Sequence, residues 1–285
     1  MLKIGIIGTE SKHCDTFCDL FNNQNIAPNA RITHILGVNS EETNRILEKV
    51  KIDNIVSSPD EMLYQVDALL IVTRDGNNHL SYAKPFIEAK TAVWIDKPIA
   101  VSCEDAKELL ELTNNNNTIL MGGSCGRRIE GVLRAQKAVE NGEIGDVLFA
   151  TLNFPANMAS QYNGLFFYAP HLFEITAHIF GFSPISLYAS KISDNNITVI
   201  LSYKNFNVTL NFCEKASNNR IYIMGTTGFI EEEIDFADAF KAEMLAFIQS
   251  LQEKNHPKAS DDFIMSTKLI NEVYNSIKTG KAILL

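Results

Sequence analysis

Short apolar runs alternate with helically spaced stretches from the start of the chain to residue 121. Residues 2–7 form the first run, which ends at Gly8, and helical spacing follows through Phe17, Leu20 and Phe21. Residues 31–38, 55–56, 68–72, 92–95 and 118–121 read as further strands. Between them lie helical patterns over 41–50, 79–89 and 103–112, and a short one opening at Pro59. Runs such as Ala68-Leu69-Leu70-Ile71-Val72 are apolar at every position rather than at alternate ones. A strand of that character is buried on both faces, as in a parallel sheet covered by helices. The alternation predicts an α/β domain, a doubly wound parallel sheet with right-handed crossovers.

The rhythm changes after Gly122-Gly123. A helix over 132–140 leads through Gly142 and Gly145 into a strand over 147–154. A loop with Pro155, Gly164 and Pro170 then opens into a helix to residue 179, stopped by Gly181 and Pro184. Strands over 186–192, 197–203, 207–212 and 220–224 follow with no helix between them, so they predict antiparallel hairpins. Glu231-Glu232-Glu233 reads as a solvated strand edge or a helix start, and helices over 237–251 and 262–278 close the chain. The second domain, 122–285, is therefore expected to be α+β, with an open, mainly antiparallel sheet.

Ligands of open α/β sheets bind outside the carboxyl ends of the strands, so polar residues there carry the candidate chemistry. The run over 92–100 ends in Asp96-Lys97-Pro98, where proline stops the strand and aims the lysine. The first strand passes into its helix through Gly8-Thr9-Glu10-Ser11-Lys12-His13. Gly8 stands where a dinucleotide-binding turn has its first glycine, while Glu10 and His13 replace the second and third. A carboxylate at the second position is bulkier than glycine and repels phosphate. Two readings stay open: Glu10, Ser11 and His13 cap the helix, or Lys12 or His13 partly replaces the missing contacts.

The second strand ends at Asn39-Ser40, where an acid would bind the ribose 2′-OH of NAD. The neutral pair with Arg45 nearby suits a 2′-phosphate, or else marks loss of the adenosine site. Thr73, Asp75, Asn78 and His79 follow the fourth strand as candidate helix caps. Arg127 could hold a substrate carboxylate, and Tyr168 belongs to an aromatic group that could wall a substrate.

Composition narrows the partners. A net charge of −9 over 285 residues argues against nucleic acid and anionic membrane surfaces. No apolar run approaches the roughly 20 residues that span a bilayer, and MLKIGIIG lacks a secretory pattern. Five scattered cysteines fit reduced thiols, hence a cytoplasmic location. Cys14 and Cys18 share a helix face but have no second ligand pair, so no metal is expected.

The Gly8 turn, the segment over 72–79 and the Asp96-Lys97-Pro98 triplet occur in the order found in the Gfo/Idh/MocA oxidoreductases, and the chain resembles that family. Residues 123–128, 142–147 and the helix ending at Gly181 extend the match over essentially the whole chain. The triplet departs from the family's Glu-Lys-Pro by one methylene. The resemblance implies an N-terminal Rossmann domain, 1–121, and a C-terminal substrate and oligomerisation domain, 122–285. It also implies NAD or NADP as cofactor, a sugar, inositol or related polyol as small-molecule substrate, and a homo-oligomer through the second sheet.

In family terms Lys97 hydrogen-bonds the reacting hydroxyl and His171 takes its proton. The cofactor would touch Gly8, Thr9, Glu10, His13, Asn39, Ser40, Thr73, His79, Asp96 and Lys97, and the substrate Arg127, Tyr168 and Glu174. The family's aspartate four residues before the histidine falls at Phe167. Its loss leaves a second reading, a family member without redox turnover that serves as a ligand-binding or regulatory subunit. A third is redox-neutral chemistry on a tightly held cofactor.

Overall fold

The computed structural model describes residues 1–37, 39–216, 218–253 and 262–285. The chain forms two compact units: Met1–Gly123 with Phe240–Phe263, and Ser124–Ala239 with Ile264–Leu285.

Six strands build the sheet of the first unit: β1 (Leu2–Ile7), β2 (Ala30–Leu36), β3 (Asn54–Ile55), β4 (Ala68–Ile71), β5 (Ala92–Asp96) and β6 (Leu120–Gly123). They are all parallel, in the order β3-β2-β1-β4-β5-β6. Every residue of β4 and β5 is buried, as their unbroken apolar sequences require in a sheet covered on both faces. The connecting helices are α1 (Lys12–Cys18), α2 (Ser40–Leu47), α3 (His79–Glu88) and α4 (Cys103–Asn116). Their starts follow from capping side chains: Ser11 accepts the His13 amide, Asn39 that of Glu42, and Ser102 that of Asp105. The helical spacing through Phe21 resolves into α1 and a π-helical turn over Asp19–Asn23. Val38, where the second strand was expected to end, lies outside the described residues.

The strand order reverses between β1 and β4, the place where such sheets open a crevice for a ligand. Fully buried Trp94, in the middle of β5, packs edge-on against Phe17 of α1 at 5.2 Å.

The second unit carries α5 (Glu130–Glu140), β7 (Val147–Phe154), α6 (Ala169–Phe180), β8 (Ser186–Ser193), β9 (Asn196–Ser202), β10 (Asn207–Cys213), β11 (Arg220–Gly225), β12 (Phe229–Glu233) and β13 (Ile283–Leu284). The sheet runs β12-β11-β7-β10-β9-β8-β13 and is antiparallel except where β7 meets β10. Burial alternates along β9, β10 and β11, so one face is core and the other polar or aromatic. The Glu231–Glu233 segment is the edge strand β12, where Glu232 takes the Arg134 guanidinium at 2.7 Å.

Two helices precede the last strand, β13. Helix α7 (Ala239–Glu253) belongs from Phe240 onward to the first unit, and α8 (Asp262–Thr279) from Ile264 onward to the second. The return of α7 has a local cause. Its Phe240 ring lies 4.6 Å from His13 and 6.0 Å from Phe17, and Glu243 accepts the Trp94 indole N–H at 3.2 Å.

Candidate active site

In the first unit the candidate residues gather at the carboxyl edge of β1, β4 and β5. Gly8 has φ of +116°, and a Cβ there would stand 2.5 Å from the Thr73 amide nitrogen. The turn after β1 therefore lies against the end of β4, which only glycine permits. Glu10 does not project from the turn as a free charge. Its Oε1 accepts the Arg74 N–H at 2.9 Å and so ties this turn to the loop after β4. His13 caps nothing with its side chain; Nδ1 lies 2.6 Å from Asp96 Oδ2.

That contact anchors the triplet. Asp96 and Lys97 are both buried, at 3% and 5% exposure, which is rare for such groups unless they are paired. Burial alone would raise the Asp96 carboxyl. The His13 contact and the Lys97 charge outweigh it and hold the group below its ordinary value. A cis peptide joins Lys97 to Pro98. His79, fully buried, spans the Pro98 carbonyl at 2.7 Å (Nδ1) and the Thr73 carbonyl at 2.9 Å (Nε2). It links the loop after β4 to the lysine-bearing turn. Burial lowers its basicity against the pull of those carbonyls and of Asp96.

Past β2 the expected residues serve the helix. Asn39 Oδ1 accepts the Glu42 amide at 2.8 Å, capping α2, and Ser40 begins that helix. Arg45 reaches back to Asp15, to Glu42 at 2.8 Å and to the Thr9 carbonyl at 3.2 Å. Gly37, unremarked in the sequence, is required here, because a Cβ would fall 1.7 Å from the Thr43 hydroxyl oxygen.

In the second unit His171 sits in the first turn of α6, 5% exposed. Its ring meets Phe154 at 5.2 Å and Phe236 at 4.8 Å, both edge-on, with Tyr168 at 6.2 Å. Nδ1 lies 2.7 Å from Ser124 Oγ. Glu174 accepts the Ser124 amide at 2.7 Å and lies 3.9 Å from the Arg127 guanidinium. Arg127 and Glu174 thus pair with each other. Ser124 lies in the 123–128 stretch noted in the sequence, but nothing in its spacing names it as a partner of the histidine; the turn between β6 and α5 brings the two together.

The profile described as "Oxidoreductase family, NAD-binding Rossmann fold" matches residues 2–124. The matched stretch makes the first unit similar to the NAD-binding domain of the Gfo/Idh/MocA oxidoreductases. A myo-inositol 2-dehydrogenase of Thermotoga maritima is 27% identical over 192 residues, 63% of this chain and 55% of that protein. An uncharacterized oxidoreductase of Streptococcus pneumoniae is 31% identical over 97 residues, 33% of this chain and 26% of its own length. The matches to these relatives thus span about a quarter to a half of their length. Among solved structures, scyllo-inositol dehydrogenase from Lactobacillus casei with bound NAD(H) and scyllo-inositol superposes with a TM-score of 0.86. It covers 100% of this chain and 99% of that one at 17% identity, a likeness of fold.

The residues at the β1–β4 edge suit a nicotinamide dinucleotide on chemical grounds. Glu10 Oε2 and Thr73 Oγ1 are buried there without a hydrogen-bond partner. A ligand bearing hydroxyl groups would satisfy both. The glycine backbone at residue 8 gives the close approach such a ligand needs.

Proposed function

We propose that the protein is an NAD(P)-dependent dehydrogenase that acts on a sugar, an inositol or a related polyol. The observation that carries the reading is the buried Asp96-Lys97 pair at the carboxyl end of β5, anchored by His13 beside the strand-order reversal. Inositol dehydrogenases among its relatives support the substrate class.

Gly8, Thr9, Thr73 and the Asp96-Lys97 turn would hold the cofactor, with Glu10 and His79 fixing the two loops to each other. When bound, the nicotinamide supplies a hydride acceptor. Lys97 hydrogen-bonds the reacting oxygen of the substrate, and His171 is a second candidate polar group for the substrate. A buried lysine suits this task, since the low-dielectric surroundings strengthen its pull on an oxygen that gains charge. Glu174 and Arg127 shape the polar end of the substrate position, and Tyr168 lines its apolar side. The protein associates with copies of itself through the second sheet, whose uncovered face carries the ring cluster Phe149, Tyr222 and Phe229.

The test is a turnover screen with NAD and with NADP against a panel of inositols and sugars, read by nicotinamide absorbance. At least one polyol should reduce the cofactor. Lys97→Ala should lower that rate by about 10²–10⁴-fold, with circular dichroism unchanged and melting lowered by loss of a charge that compensates Asp96. Ligand binding without turnover across the whole panel would instead favour a binding or regulatory subunit.

A further inference from the structure

We infer that Ser124 fixes the tautomer of His171, so that the neutral ring carries its proton on Nε2 and meets its ligand as a hydrogen-bond donor. The inference rests on the reading above only in placing His171 at the substrate; the tautomer follows from hydrogen-bond accounting within the second unit.

Ser124 is fully buried, so its hydroxyl must find partners inside the protein. A hydroxyl has one proton to give and lone pairs to receive. One lone pair is taken by the Gly126 N–H at 2.9 Å. Among the described residues, the only acceptor within reach of the proton is His171 Nδ1, at 2.7 Å. Donation to Nδ1 satisfies the hydroxyl and requires that nitrogen to be unprotonated. The opposite arrangement, with Nδ1–H given to Oγ, would load the oxygen with two donors and strand its own proton in the interior.

The surroundings hold this arrangement in place. Glu174 Oε2 accepts the Ser124 amide at 2.7 Å, so the carboxylate fixes the serine and the serine fixes the ring. The rings of Phe154 and Phe236, set edge-on to the imidazole at 5.2 and 4.8 Å, determine its plane. Phe167, one turn before His171, offers no carboxylate.

The consequence is that His171 would meet an oxygen of its ligand with Nε2–H as a donor and not with a basic nitrogen. Ser124 is a positioning residue in this scheme, acting only through the ring.

The test is a long-range proton–nitrogen NMR correlation of the imidazole signals in the uniformly nitrogen-15-labelled protein. It uses no cofactor or substrate and is taken at a pH where the ring is neutral. His171→Gln identifies the His171 signals by their loss. The expected spectrum shows Nε2 protonated and Nδ1 unprotonated, by about tenfold or more, the scale set by stranding one buried hydroxyl proton. Ser124→Thr should keep that pattern and Ser124→Ala should lose it. Protonated Nδ1 in the parent protein overturns the inference, as does an Ala spectrum identical to the parent's. Where Ser124→Ala does not fold, the parent and Thr spectra decide. Failure of every polyol in the turnover screen would sink the dehydrogenase reading and leave this spectrum unchanged, so the two failures are distinct.

Discussion

Asp96 shows how much of the site depends on one buried pair. The carboxylate keeps its charge in the interior because His13 and Lys97 compensate the loss of water. A carboxyl whose acidity is strengthened by folding contributes stability above its unfolded value of about 3.9. That contribution is lost as pH falls through the lower folded value. The stability advantage of the parent over Asp96→Asn should therefore be full near neutrality and shrink below pH ~4. Urea denaturation at a series of pH values measures it, and a difference independent of pH would contradict the pairing. The Asp96-Lys97 pair was legible in the sequence, because a strand-ending acid and lysine before proline have few other positions to occupy. The anchoring by His13 was not, since 83 residues separate the partners and local spacing says nothing about them.

At the scale of elements, the turn between β1 and α1 carries the largest local constraint. Gly8 is held at φ +116° with the Thr73 backbone 2.5 Å from where a Cβ would stand. Gly8→Ala should cost about 2–4 kcal/mol, from strained backbone and displacement of the loop after β4. It should also weaken cofactor binding by moving Thr73. Thermal melting and cofactor titration check the two parts, and a melting temperature equal to the parent's would contradict the close approach. Helices and strands of the first unit were readable from apolar periodicity because each is a continuous buried run or a capped helix. The exceptions have physical reasons. The glutamate at residue 10 read as a charge facing phosphate, but the fold bends it onto the Arg74 amide. Edge strands β12 and β13 lack the alternating core pattern because little of either is buried.

At the scale of the whole molecule, the uncovered face of the second sheet bears on assembly. Phe149 and Phe229 are exposed and flank Tyr222 at 6.1 and 5.7 Å, beside a polar ladder of Asn153, Asn211 and Thr198. Exposed aromatic rings beside satisfied polar groups match the composition of protein–protein interfaces. Tyr222→Glu should lower the mass measured by light scattering, with secondary structure retained; an unchanged mass would remove this face from assembly. The return of α7 to the first unit was out of reach of the sequence, since the strands of the other unit intervene before it.

Binding of a nicotinamide dinucleotide by the first unit, despite Glu10 in the glycine turn, is open to direct measurement. Trp94, the only tryptophan, lies buried in β5 three residues before Lys97 and serves as the built-in reporter. The most direct measurement is a titration with NADH and with NADPH, followed by energy transfer from Trp94 to the nicotinamide. Saturable transfer in the micromolar range is expected with at least one of the two. No saturable signal from either at millimolar concentration would contradict it.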